Sequence, residues 1–179
     1  MAFPVPSAKN ALHIMKRFLH NNWYVHTIDR VIPGGLSALC FATITGNVEF
    51  VEKLLTSGAS VDSISNGTKC PAMHEAIQTG DVDMLQLLLQ YNASQLVVDG
   101  DGMTALHKAA KLGSSRIISI LLKAPKASEA LKCVDRKGRN ALEVASGSYS
   151  RVKIYEAMVS YRLIKTTTEI SNGVYDNHV

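Results

Sequence analysis

Two histidines, His74 and His107, are the side chains best suited to proton transfer or metal binding. They lie 33 residues apart, and each ends a similar tetrapeptide: Pro71-Ala72-Met73-His74 and Thr104-Ala105-Leu106-His107. No set of nucleophile, base and orienting group can be assembled around either of them from the sequence. A fixed spacing of this kind is typical of a sequence repeat, which accounts for the pair without catalysis or metal. We therefore predict no catalytic residue and no metal site.

The other reactive or phosphate-binding patterns are weak. Cys40, Cys70 and Cys133 are odd in number and lack the spacing of a zinc site or a disulfide framework. We interpret them as small apolar residues, buried or half-buried. Gly100-x-Gly102 is only a fragment of a nucleotide-binding fingerprint, and a turn within a repeat explains it better. No cofactor and no small-molecule substrate is predicted.

The composition is that of a folded protein without a membrane span. Of the 179 residues, 46% are apolar and 19% are charged. Pro, Gly, Ser, Thr and Asn interrupt the longest uncharged stretch, residues 31–48, so it does not supply the roughly 20 apolar residues that a span requires. The first nine residues lack the features of a secretory signal. We expect an intracellular protein, located in the cytoplasm, with the nucleus as a second location.

Charge is distributed unevenly along the chain. Residues 1–103 carry six basic and nine acidic side chains, whereas residues 104–165 carry thirteen basic and four acidic ones. Residues 166–179 add two acidic side chains, and the whole chain has a net charge of +4. An asymmetry of this size bears on partners and association rates rather than on the fold. A solvated surface with uneven charge explains it equally well.

A motif recurs four times, with starts that are 34, 33 and 36 residues apart. An alanine follows each copy of the motif. In the first three copies a glycine stands further along the chain, and apolar residues at spacings of three and four follow that glycine. The copies are Ser37-Ala38-Leu39-Cys40, Pro71-Ala72-Met73-His74, Thr104-Ala105-Leu106-His107 and Asn140-Ala141-Leu142-Glu143. Each unit therefore predicts two short antiparallel helices joined by a tight turn. One helix pair cannot bury its apolar face alone, so the units must stack into a solenoid.

These units resemble the ankyrin repeats, whose pattern is D-x-x-G-x-T-P-L-H-x-A-A-x-x-G followed by an outer helix. The best match runs from Asp99 to Gly113 and reads DGDGMTALHKAAKLG. The fourth unit has Glu143 in place of the histidine, and a weaker terminal repeat is typical of a cap. The resemblance implies an all-α solenoid with finger-like β-turn loops. It also implies that His74 and His107 are hydrogen-bonded scaffold residues.

The chain divides into a predicted N-terminal helical cap at residues 1–30, repeats at about 31–63, 64–97, 98–133 and 134–163, and a C-terminal tail at 164–179. Pro71 suits the first helical position, so Cys70 is expected at the cap of that helix. Three extra residues within 124–133 predict a protruding loop. The last outer helix is predicted from Arg151 to Leu163, with these residues at helical spacing: Val152, Tyr155, Met158, Val159 and Arg162.

The resemblance implies that a partner binds in the concave groove between the finger tips and the solvent-facing side of the first helices. Ile44, Met103 and Leu112 are expected to be exposed apolar anchors. The basic positions should share one concave surface that attracts an acidic segment of the partner. The predicted partner-binding residues are Leu36, Ile44, Thr45, Gln78, Thr79, Asp101, Met103, Lys111, Leu112, Arg136, Lys137 and Arg139.

The leading hypothesis is a non-enzymatic module, an adaptor, scaffold or inhibitor, that binds another protein and is monomeric on its own. An alternative of another class is a regulatory subunit that recruits targets to a larger enzyme such as a ubiquitin ligase, although no docking element is recognisable after Leu163. Association with nucleic acid through the basic half ranks lower, because the chain contains no recognition motif.

Overall fold

The computed structural model describes residues 36–64 and 69–161. The predicted N-terminal cap and C-terminal tail lie outside the described residues, and the repeat boundaries stay a prediction. Nine α-helices lie within the described ranges: α1 (Ala38–Ile44), α2 (Val48–Thr56), α3 (Ala72–Thr79), α4 (Val82–Gln90), α5 (Ala105–Leu112), α6 (Ser115–Lys123), α7 (Ala127–Lys132), α8 (Ala141–Val144) and α9 (Ser148–Ser160).

Tight turns fold each inner helix back onto its outer helix. Helices α3 and α5 end at Gly80 and Gly113, whose φ angles of 74° and 76° lie in the left-handed region that glycine adopts without strain. The next residue begins the outer helix: the side chains of Asp81 and Ser114 each accept a hydrogen bond from an amide three residues later. The two helices of a repeat are therefore antiparallel neighbours.

The repeats stack in two helical layers around one core. The inner helices α1, α3, α5 and α8 contact one another in that order, while in the outer layer α2 contacts α4 and α6 contacts α9. Ala76 and Ala109 are fully buried on the inner helices and allow close helix packing. Between two described residues, the structure defines one isolated β-bridge, which joins Ile64 and Pro71. The predicted all-α solenoid is confirmed.

Helix α3 begins one residue later than predicted. Pro71 itself is the N-cap, with an extended backbone at φ −68° and ψ 154°, and no side chain caps this helix. The bridge to Ile64 keeps Pro71 extended, and its carbonyl accepts the amides of His74 and Glu75. The expectation that Cys70 occupies the cap is therefore wrong.

The segment between the third and fourth repeats does not form a protruding loop, so that prediction is wrong. It contains the short helix α7, whose Ala127, Ala130 and Leu131 are buried. These residues follow the three- and four-residue spacing of one helix face, and α7 packs against α6 and α9. The side-chain amide of Gln95 donates to the carbonyl of Pro125 and ties the segment to the end of the second repeat.

The fourth repeat departs most from the pattern. Its inner helix α8 is one turn long, and the amide and hydroxyl of Ser146 then donate to the carbonyls of Ala110 and Lys111 at the end of α5, at 3.0 and 2.7 Å. Helix α9 buries Ser150, Ile154 and Met158. Of the residues that the sequence places at helical spacing, Met158 is buried, Val152 and Tyr155 are exposed, and Arg162 lies outside the described residues.

Candidate functional site

Both candidate histidines connect an inner helix to the next finger loop. His74 Nε2 lies 2.8 Å from the carbonyl oxygen of Met103, and His107 Nε2 lies 3.0 Å from that of Arg139. A carbonyl oxygen only accepts hydrogen bonds, so in both rings Nε2 carries the hydrogen and Nδ1 is the acceptor. Both side chains are fully buried. The geometry therefore gives these histidines the scaffold role that the resemblance implies.

The Nδ1 atoms of the two histidines have different surroundings. The hydroxyl of Thr104 lies 2.8 Å from Nδ1 of His107 and donates to it. The second repeat has Pro71 at that position, which offers no donor, and Nδ1 of His74 is buried without a partner. Burial lowers the pKa of His74 to about 4 and also lowers the pKa of His107. Both rings are neutral at physiological pH.

The fingers of the third and fourth repeats, finger 3 (residues 99–103) and finger 4 (residues 135–139), are each closed by an aspartate at their first position. Oδ1 of Asp99 accepts the amides of Asp101 and Met103, both at 2.9 Å. In finger 4, Oδ1 of Asp135 accepts the amides two and four residues later, at 2.8 and 3.0 Å. The carboxylates therefore hold both finger tips in one conformation.

The second oxygen of each finger aspartate forms a salt bridge. Asp99 Oδ2 lies 2.7 Å from Lys108 Nζ, and Asp135 Oδ2 lies 2.6 Å from Arg139 Nη2. Burial alone would raise the pKa of Asp99, but the bonds from Lys108 and from backbone amides outweigh it and lower that pKa. The bonds from Arg139 lower the pKa of Asp135 to about 2. Both carboxylates are ionised at neutral pH.

Fingers 3 and 4 also contact each other. The amide of Arg136 donates to the carbonyl of Asp101 at 3.1 Å. Gly102 has a φ of 76°, and a Cβ added there would lie 2.8 Å from Cγ of Arg136, so only glycine permits this approach. The side chains of Asp101, Arg136 and Lys137 remain exposed at the joined tips. The result is a fixed surface with one acidic and two basic side chains.

Most of the predicted partner-binding residues are accessible. Leu36 and Ile44 are half-buried, and the following are exposed: Thr45, Gln78, Thr79, Asp101, Lys111, Leu112, Arg136 and Lys137. The prediction that Met103 is an exposed anchor is wrong, because its side chain is only 4% exposed. Met103 follows the turn of finger 3, where its carbonyl accepts the Asp99 amide, and this backbone position directs the Met103 side chain inward. Leu112, at 49% exposure, stays available as an apolar anchor.

The predicted basic surface is divided. Arg139 is committed to Asp135 and is therefore not a free cation on the groove, which corrects the sequence prediction. Lys111 is six residues into α5, about 9 Å along the helix axis from its first residue, and lies beside Ser146 rather than at the finger. The structure thus groups Arg136 and Lys137 at the finger tips and leaves Lys111 at the other end of the inner helix.

Three exposed apolar residues near the fingers are absent from the predicted set. Val98 and Val134 directly precede the finger aspartates, and Ile64 lies in the corresponding part of the second repeat. The recurring Val-Asp pair at 98–99 and 134–135 was the signal that could have identified the valines. They add apolar area next to the charged tips.

The cysteines offer no reactive nucleophile. Cys40 occupies the histidine position of the first repeat, and its thiol lies 3.5 Å from the carbonyl oxygen of Cys70. Burial raises the pKa of Cys70, with a further contribution from the nearby carboxyl of Glu75, and burial also raises the pKa of Cys133. Thiols with raised pKa values remain protonated and react slowly.

In the part of the chain that the structure describes, no three His, Cys, Asp or Glu side chains are grouped as metal ligands.

The stacked helix pairs and ordered fingers define a repeat solenoid that presents a binding surface. A family model described as ankyrin repeats (3 copies) matches residues 6–99 and 92–168 of this chain. The chain therefore belongs to the ankyrin-repeat family, as its motifs predict. The crystal structure of the ankyrin repeat domain of Bcl-3, described as a unique member of the IkappaB protein family, superposes with a TM-score of 0.60. The match has 25% sequence identity and covers 68% of this chain and 52% of that one.

Two similar proteins are much longer than this chain. Palmitoyltransferase ZDHHC13 of Homo sapiens is 32% identical over 74 residues, which are 41% of this chain and 12% of that protein. Ankyrin repeat and SOCS box protein 3 of Homo sapiens is 37% identical over 91 residues, which are 49% of this chain and 17% of that protein. The matched regions therefore cover less than a fifth of the length of these relatives. None of the helices described in the structure has both the length and the apolar character needed to cross a membrane.

Proposed function

We propose that this chain is a non-enzymatic protein-interaction module that binds an acidic segment of another protein at the tips of fingers 3 and 4. One observation carries the proposal: Arg136 and Lys137 are exposed on finger 4, and neither takes part in the two salt bridges of the described residues. Two cations without a salt-bridge partner among the described residues favour a ligand that brings negative charge.

The conformation of the fingers supports the same proposal. Asp135 fixes the loop that carries both cations, and the bond from the Arg136 amide to Asp101 joins it to finger 3. A loop that is already ordered loses little conformational entropy when a partner binds. Val134, which directly precedes finger 4, offers apolar contact beside the charges. The partner segment should therefore combine acidic residues with one or two apolar side chains.

The test compares affinity capture by three proteins: the wild type, Arg136→Glu/Lys137→Glu, and the control Arg116→Glu/Lys123→Glu. The control reverses two exposed cations of α6, so it changes net charge equally while leaving the fingers intact. Quantitative mass spectrometry should find at least one protein with an acidic segment that the wild type and the control recover and the finger variant loses. Equal recovery of every protein by all three would contradict the proposal.

A second candidate is a recruiting module of a larger enzyme, such as a ubiquitin ligase subunit. It is favoured by the palmitoyltransferase relative, in which the matched region is 12% of the protein. On this reading the surface of fingers 3 and 4 would bind the target while other parts of the assembly perform the chemistry. Captured complexes would then contain an enzyme whose modification of the target falls with Arg136→Glu/Lys137→Glu. If no enzyme is captured with the chain, this candidate fails.

The proposal includes an intracellular location, in the cytoplasm or nucleus, which microscopy of a tagged chain would test. Nucleic-acid binding ranks lower: although residues 104–165 are basic, Arg139 and Lys108 are engaged by aspartates and no recognition motif is present. A mobility shift of random duplex DNA that weakens steeply with salt would support this alternative instead.

A further inference from the structure

Helix α9 differs from the earlier outer helices in what it presents to solvent. The outward sides of α2 and α4 carry mainly charged and amide side chains. On α9 the outward residues include Tyr149 at 61% exposure, Val152 at 50% and the exposed Tyr155, with Val159 half-buried. Spacings of three, three and four place these four residues on one face of the helix. We refer to them as the α9 row.

The opposite side of α9 is already occupied. Its Ser150, Ile154 and Met158 are buried, and the helix packs against α6, α7 and α8. In a solenoid each unit covers the apolar face of the unit before it, and α9 belongs to the last unit that the structure describes. Among the described residues no helix covers the α9 row.

We propose that the α9 row is the contact of a homodimer in which α9 packs antiparallel against α9 of a second copy. In an antiparallel two-fold pair, each edge of the helix faces the same edge of its copy in the reverse direction. Lys153 and Glu156 lie on one edge of the row, so Lys153 of each chain meets Glu156 of the other. Two equivalent ion pairs would line one side of the apolar contact.

In the antiparallel pair Arg151, on the edge with Tyr155, lies near Tyr155 of the copy, where a guanidinium can lie over an aromatic ring. In the single chain Lys153 Nζ already lies 5.6 Å from the centroid of the Tyr149 ring.

The dimer should be weak, because α9 has 13 residues and is therefore only about 20 Å long. A stable interface buries about 800 Å² per partner, more than one helix face of this length supplies. We expect a dissociation constant between roughly 10 μM and 1 mM. At high protein concentration the dimer therefore replaces the monomer that the sequence analysis predicts. The proposal is independent of the acidic-partner function, since the α9 row is separate from the fingers.

Sedimentation velocity of the full chain, from about 10 μM to 1 mM, tests the proposal with a charge swap. Lys153→Glu and Glu156→Lys should each weaken self-association at least tenfold, a loss of about 1.4 kcal/mol, because each creates two like-charge contacts. An equimolar mixture of the two variants should dimerise again, because both contacts then join opposite charges. The control Glu52→Lys, at an exposed position on α2, should dimerise like the wild type.

A monomer that persists at 1 mM would overturn the proposal. So would dimers that are insensitive to both single variants, or a mixture that associates no better than its components. Val152→Asp gives a second check, because it places a charge in the centre of the row while leaving the buried side of α9 intact. It should abolish the dimer without lowering the melting temperature of the monomer. If the chain is monomeric and Val152→Asp lowers that temperature, another segment of the same chain covers the row and the proposal is wrong.

Discussion

The second and third repeats build the same connection to the next finger with different chemistry. In both, a buried histidine donates from Nε2 to a finger carbonyl. In the third repeat the Thr104 hydroxyl satisfies Nδ1 of His107, whereas Pro71 leaves Nδ1 of His74 without a donor. The fold thus tolerates the loss of the hydrogen bond to Nδ1. In the second repeat the connection to the next finger then depends on the Nε2 bond of a neutral His74 alone.

The residue after each histidine shows a related difference. Lys108 in the third repeat is half-buried; burial alone would lower its pKa, but the salt bridge to Asp99 raises it. Glu75, the counterpart in the second repeat, forms no salt bridge among the described residues, and burial raises its pKa. The third repeat therefore keeps a charged pair at the groove, while the second favours uncharged groups.

Lowering the pH should show the largest effect, because it tests whether buried His74 stays neutral. Above pH 6.5 His74 is neutral in both the folded and the unfolded chain, so it contributes no pH dependence. Below pH 6.5 the unfolded chain gains a proton that the folded chain does not bind until about pH 4. The free energy of unfolding should therefore fall by about 3 kcal/mol over that interval. Urea unfolding at several pH values measures it, and His74→Gln should remove this part of the slope. An unchanged slope in His74→Gln would contradict the account.

Deleting the two histidines should have unequal effects. His107→Ala should reduce the free energy of unfolding by about 2.5 kcal/mol at pH 7, because both the Arg139 carbonyl and the Thr104 hydroxyl lose a partner. His74→Ala should cost about 1.5 kcal/mol, because only the Met103 carbonyl loses a partner and it still accepts the Asp99 amide. Denaturant melts of the two variants provide the comparison. A larger loss for His74→Ala would reverse it.

Thr104→Val should bring the third repeat closer to the state of the second, although the amide of residue 104 still donates to Nδ1 of His107 at 3.4 Å. The substitution keeps the shape of the side chain but removes the hydroxyl that donates to Nδ1 of His107. The expected loss is about 1.5 kcal/mol, because the buried Nδ1 keeps only the longer bond from the backbone amide and the helix cap is weakened. Thr104→Ser, which retains the hydroxyl, is the matched control and should lose less. Equal losses in the two variants would show that the hydroxyl is unimportant.

The smallest expected effect is the reciprocal change, Pro71→Thr. A hydroxyl at this position should satisfy Nδ1 of His74 and stabilise the fold by about 1 kcal/mol. Loss of proline restores conformational freedom to the unfolded chain and offsets about half of that gain. The net increase, about 0.5 kcal/mol, should disappear in a His74→Ala background. A gain that persists without His74 would have another origin.

The sequence predicts the part of the fold that depends on recurring local signals. The motif spacing locates the six helices of the first three repeats, because the glycine turn and the following cap fix where each helix ends and the next begins. It misses α7, because six residues after Pro125 give too short a pattern to distinguish from a loop. It does not decide which side of α9 is buried, because that helix has apolar residues on both sides and only packing against α6 and α7 distinguishes them.

The candidate site was predictable in its location but less so in its chemistry. Arg136, Lys137 and Asp101 are exposed on the fingers as expected. The sequence places Arg139 beside them, but it cannot show that the guanidinium turns back to Asp135. Nor can it show that the finger conformation directs Met103 inward. Whether a side chain at a turn faces solvent depends on hydrogen bonds that only the folded loop displays.

The central claim, that finger 4 attracts an acidic partner, is tested most directly by the association rate with a captured partner at low and at high salt. Steering by exposed charges acts mainly on the on-rate and weakens as salt screens the field. Arg136→Glu/Lys137→Glu should lower the on-rate about tenfold at low salt and flatten its salt dependence, with an unchanged melting temperature. The control Arg116→Glu/Lys123→Glu should behave like the wild type. If the finger variant matches the wild type in both rate and salt dependence, finger 4 does not attract the partner.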